Sequence, residues 1–121
     1  MRATSILPLA TATSLVLVSA PAFAHPSLLR SEPAAGSKVS APTVVSLWFS
    51  EKIEPVFNKV EIIDASGAHF EDGKATVATG DGKRLDARLK PLPVGQYRVR
   101  WRATAADTHK VGGSFTFQVA P

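Results

Sequence analysis

No cysteine occurs in this 121-residue chain, and its single methionine is Met1. Neither a disulfide scaffold nor a thiolate metal site can be built from it. Charge is thinly biased, with 14 Lys and Arg against 10 Asp and Glu. That excess gives no reason to expect nucleic acid as a partner. Beyond the first two dozen residues, no apolar run approaches the roughly 20 residues of a membrane-spanning helix. No helical stripe of apolar residues appears there either.

The opening segment reads as a secretory signal. Arg2 supplies the positive region and Ile6 to Val18 the apolar middle, while Ala22-Phe23-Ala24 puts small residues where a signal peptidase cuts. Pro8 and several Thr and Ser interrupt the apolar run, which argues against a membrane anchor. Cleavage after Ala24 removes 24 of the 121 residues and leaves 97, enough for one small domain with one core. It also removes Met1, so residues 25–121 hold no sulfur ligand of any kind.

What the remainder does contain is alternation. "QYRVRWR" (96–102) sets Tyr97, Val99 and Trp101 against Arg98, Arg100 and Arg102, and "GSFTFQV" (113–119) sets Phe115, Phe117 and Val119 against polar neighbours. "RLDARLK" (84–90), "TVVSLWFS" (43–50) and "NKVEIID" (58–64) repeat the period of two that marks half-buried strands. Turn chemistry separates these runs: "EPAAGS", "DASG", "EDGK", "GDGK" and "PLPVG". The pattern predicts one all-β domain of about seven strands. Its form is a small antiparallel Greek-key sandwich or barrel, immunoglobulin-like or cupredoxin-like.

Two stretches could carry chemistry. A chain beginning at His25 offers its free α-amine and imidazole Nδ1 to close a six-membered ring on a metal ion, since both lose a proton readily near neutral pH. Pro26 follows, and its nitrogen bears no hydrogen. Cu(II) therefore cannot displace an amide proton there and must find its other ligands elsewhere. In "AADTHKVGG" (105–113), Asp107 and His109 are two apart, so an extended segment projects both from one face, between the two clearest strands. Singly, each is equally a chance first residue or a solvated loop residue. Together His25, Asp107 and His109 supply one amine, two imidazoles and a carboxylate, a set that suits Cu(II). His69 reads as an exposed turn residue. Arg98, Arg100 and Arg102 form a basic row that would lie beside Arg84, Arg88 and Lys90 if their strands paired. Trp48 and Trp101 read as packing residues.

With "HPSLLRSEPAAGS", "LWFSEKIE" and "LPVGQYRVRWRATAADTHKVGGSFTFQV" on view, residues 25–121 resemble the periplasmic copper-resistance CopC family along essentially their whole length. The resemblance implies His25, Asp107 and His109 as Cu(II) ligands. It also implies Glu51, in "FSE", as either a weak ligand or a hydrogen-bonding neighbour of the site. Some members hold Cu(I) in a methionine-rich loop. The corresponding "DASGAHFEDGKATVATG" here has no methionine, so the soft thioether donors that Cu(I) prefers are missing and a Cu(II)-only member is expected. The family implies a monomeric periplasmic carrier or buffer for copper homeostasis and resistance, and a CopD-type inner-membrane partner. Two other classes compete with this reading. A copper oxygenase using a histidine brace needs an open metal position and a broad flat face, which a 97-residue domain with an aspartate in the metal plane does not suit. A metal-free sandwich would serve as an interaction module. The reading is a binding protein, not an enzyme.

Overall fold

A computed structural model describes residues 2–15 and 26–121. Residues 2–15 form neither helix nor strand and are exposed throughout. The Ala22–Ala24 cleavage motif and His25 lie outside the described residues.

Eight strands follow: β1 (Leu28–Glu32), β2 (Lys38–Val39), β3 (Val44–Phe49), β4 (Lys59–Asp64), β5 (Thr76–Ala78), β6 (Asp81–Arg88), β7 (Gly95–Thr104) and β8 (Lys110–Val119). They form two four-stranded sheets, ordered β1-β3-β6-β5 and β2-β8-β7-β4. The architecture is a sandwich rather than a closed barrel. Among the described residues there is no helix, hence none able to cross a membrane. One pairing departs from the antiparallel expectation, since the two-residue β2 runs parallel to β8.

The alternating residues do what their period dictates. Val45, Leu47 and Phe49 of β3 and Leu85 and Ala87 of β6 face Val60 and Ile62 of β4, Val99 and Trp101 of β7, and Phe117 of β8, all buried. Burial of such side chains contributes roughly 1.5–3 kcal/mol each and is the main force holding the sheets together. Phe49 meets Trp101 edge-on, with ring centroids 5.2 Å apart, and the Tyr97 hydroxyl donates to the carbonyl of Pro93 four residues upstream. That bond fastens the loop entering β7, as tyrosine corners do in sandwiches.

Three expectations are corrected. The basic rows do not pair, because β7 lies between β4 and β8 while β6 belongs to the other sheet. Trp48 is not core: it sits half-buried on the outer face of its sheet, with the Arg30 guanidinium 3.7 Å above its ring and Arg84 on the strand beyond. His69 is more than a turn residue. It makes an isolated bridge to Ile63, and its Nδ1 lies 2.7 Å from Glu71 and 3.8 Å from Glu61.

Candidate metal centre

The chain changes sheets at 50–53, and this crossing positions the candidate site. After Phe49 closes β3, Ser27 locks onto Ser50. The Ser27 N–H donates to Ser50 Oγ at 2.9 Å, and the Ser50 N–H donates to the Ser27 carbonyl at 2.9 Å. Two residues on, the chain has reached the other sheet. The Ala106 N–H donates to the Lys52 carbonyl at 2.9 Å, and Ile53 bridges Ala105. Glu51 is the residue between these anchor points and is half-buried. Buried Pro26, Glu51 and the 105–109 turn therefore share one end of the sandwich.

Asp107 and His109 sit in the turn that joins β7 to β8. The two strands pair continuously from Gly95↔Val119 to Thr104↔Lys110. Five residues then reverse the chain, with the Thr108 N–H donating to the Ala105 carbonyl and the Ala105 N–H to the His109 carbonyl, both at 2.8 Å. Thr108 takes φ of 75°, in the left-handed region that β-branched residues seldom enter. The segment is thus bent, not extended. Asp107 and His109 meet because the turn folds them together.

Both carboxylate oxygens of Asp107 engage His109. Oδ1 accepts from the backbone N–H at 3.1 Å, and Oδ2 lies 2.8 Å from ring Nδ1. The side-chain bond to His109, reinforced by that N–H, holds the Asp107 carboxyl below the usual carboxylate range. With its hydrogen on Nδ1, the ring donates to Oδ2 and carries its lone pair on Nε2. A carboxylate fixing the tautomer of a ligand histidine is a recurring feature of metal sites.

Among the described residues, no three His, Asp or Glu side chains gather closely enough to hold a metal ion. Asp107 and His109 form a pair, and a full coordination sphere needs donors beyond them. His25, to which the sequence reading gives that part, lies outside the described residues. Glu51 is brought to the same end of the molecule. His69 is not: its partners are Glu61 and Glu71, on β4 and in the loop before β5. Composition gives no sign of the Asp107–His109 bond, although a D-x-H spacing in a hairpin turn permits it.

Residues 28–120 match the CopC domain family. Copper resistance protein C of Xanthomonas campestris pv. juglandis is 37% identical, over 89% of this chain and 94% of that protein. Two crystal structures resemble the fold. CopC from Methylosinus trichosporium OB3b aligns with a TM-score of 0.75 at 31% identity, covering 80% of this chain and 95% of that one. PcoC, described as a methionine-rich copper resistance protein from Escherichia coli, aligns with a TM-score of 0.68 at 38% identity, covering 80% of this chain and all of that one.

Proposed function

The chain belongs to the CopC family, and on that premise we propose that it is a periplasmic Cu(II)-binding protein. It carries or buffers copper in homeostasis and resistance, after residues 1–24 are removed on export. The supporting observation is the common end of the sandwich, where Ser27 is bonded to Ser50, Lys52 to Ala106, and Asp107 to His109. A chain that begins one residue before Pro26 starts at that end. His25 then contributes its amine and Nδ1, and His109 its Nε2. Asp107 contributes a carboxylate oxygen once its bond to the His109 ring opens, because a carboxylate held at Nδ1 lies across the ring from a metal on Nε2. Glu51 stands next to this set as a weak ligand or a hydrogen-bonding neighbour.

Nitrogen and oxygen donors favour Cu(II), and soft thioethers favour Cu(I). The E. coli relative is described as methionine rich. Here the only methionine is Met1, so the reading is of Cu(II) without a companion Cu(I) site. The role is binding rather than catalysis, by a monomer that passes copper to or from a CopD-type protein of the inner membrane. A Cu(II) titration of protein beginning at His25, at neutral pH, tests this. One tightly bound ion per chain is expected. No binding would leave a metal-free interaction module.

A further inference from the structure

Next to the Asp107–His109 turn, a loop holds apolar side chains in water. Val56 is 53% exposed and Phe57 80%, the latter on a backbone with φ of 65°. A bulky residue in the left-handed region is strained, and such strain persists only where its surroundings impose it. They do so here. The Glu54 N–H donates to the Thr104 carbonyl at 2.8 Å, Asn58 Nδ2 donates to the Glu54 carbonyl at 2.6 Å, the Thr104 N–H donates to Asn58 Oδ1 at 2.9 Å, and Thr104 Oγ1 donates to the Phe57 carbonyl at 3.1 Å. Three of these bonds clamp the loop to Thr104 at the end of β7, the fourth closes the loop on itself, and Phe57 stays turned into solvent.

Below the loop lies a recess of about 890 Å³, with Val56, Phe57, Ala103 and Val111 among its walls. Lys59, Lys74, Arg102 and Lys110 also line it, and no carboxylate does. Lys59 lies 4.0 Å from Glu61, whereas Lys74, Arg102 and Lys110 make no ion pair among the described residues. Four cations around an apolar hollow that no carboxylate lines attract negative charge. Thr104 and Lys110, the paired residues that close the β7–β8 ladder, line the hollow, so it abuts the turn bearing Asp107 and His109.

We infer that this recess docks an acidic protein segment carrying an apolar side chain, on a partner that exchanges copper at the adjacent turn. A knob beside a hollow matches the uneven surface of a folded partner better than the plane of a bilayer. The cations select the sign of the segment's charge, and Phe57 with the hollow supplies the desolvated contact that gives an interface its affinity. This inference rests on the copper-carrier reading for the identity of the partner, but the docking itself can be measured without metal.

The test is amide NMR of isotopically labelled protein titrated with an acetylated peptide of alternating Glu and Gly around one central Phe. Saturable shifts confined to the 54–59 loop, Ala103 and Val111 are expected. The double variant K74E/R102E, and separately Phe57→Ser, should each weaken binding about tenfold or more. The double variant R84E/R88E, on the other sheet, should leave it intact. Equal loss in both charge-reversed variants would reduce the effect to unspecific attraction and overturn the inference. So would shifts outside the recess, or a response to phosphatidylglycerol vesicles with none to the peptide. Cu(II) titration of the same samples separates the two readings: docking with no copper binding would sink the carrier assignment alone, and the reverse would sink the docking site alone.

Discussion

At the residue scale, Asp107 is tied to a single neighbour, accepting from both the backbone and the ring of His109. That arrangement holds the imidazole in one orientation, so a ligand bound through the ring would lose less ordering entropy. His109→Ala should therefore remove one nitrogen from the copper sphere and change the Cu(II) EPR spectrum; an unaltered spectrum would strike the residue from the site. Metal should also be released on acidification through the imidazole range, because protons compete for the same lone pairs. Glu71 offers a stability test away from copper. Burial pushes its carboxyl up, but the Ile62 N–H at 2.9 Å and His69 outweigh burial and hold it below the usual range. A depressed folded pKa means that the full contribution is present above the ordinary carboxylate range and is lost as pH falls through the folded value. Glu71→Gln should cost about 1 kcal/mol at neutral pH and flatten the acid limb of stability against pH. An acid limb as steep as that of the unaltered protein would show that the Ile62 bond does not depend on the charge.

At the element scale, the β7–β8 hairpin joins core to site, and its outer end is built on two glycines. A Cβ at Gly113 would lie 2.8 Å from Cζ2 and 3.0 Å from Cε2 of Trp101, a buried ring with little room to move. Gly113→Ala should destabilise the protein by about 1–3 kcal/mol, as overpacking does, and perturb the fluorescence of Trp101. Wild-type stability would mean that the ring can shift aside. The long alternating strands were legible because each has one wet and one dry face, as in Tyr97, Val99 and Trp101 against three arginines. β1, with "LLRSE" half-exposed at a sheet edge, and the two-residue β2 carry no such period. Pairing order was the other blind spot. Arginines on β6 and β7 look alike in sequence, yet only the point at which the chain changes sheets decides whether they become neighbours, and no local pattern encodes it. The same crossing brings Glu51 to the end that holds Asp107. Spacing alone could place Asp107 and His109 together, but not show that a left-handed Thr108 and a carboxylate–imidazole bond hold them so.

At the scale of the whole molecule, the two sheets act as a rigid frame that brings three distant parts of the chain to one end: the start of β1, the 50–53 crossing and the β7–β8 turn. On the proposed reading, a site divided in this way would depend on the fold for its geometry and on proteolytic processing for its first donor. The cation-lined recess reaches that end too, so metal exchange and partner docking would share one pole. The amine of residue 25 exists as a donor only when no residue precedes it. The most direct measurement is a Cu(II) affinity titration, followed by EPR, of protein beginning at His25 alongside a version with one extra alanine in front. The extended form should bind copper more weakly by orders of magnitude, with one nitrogen lost from its spectrum. Equal affinity and identical spectra would contradict the account.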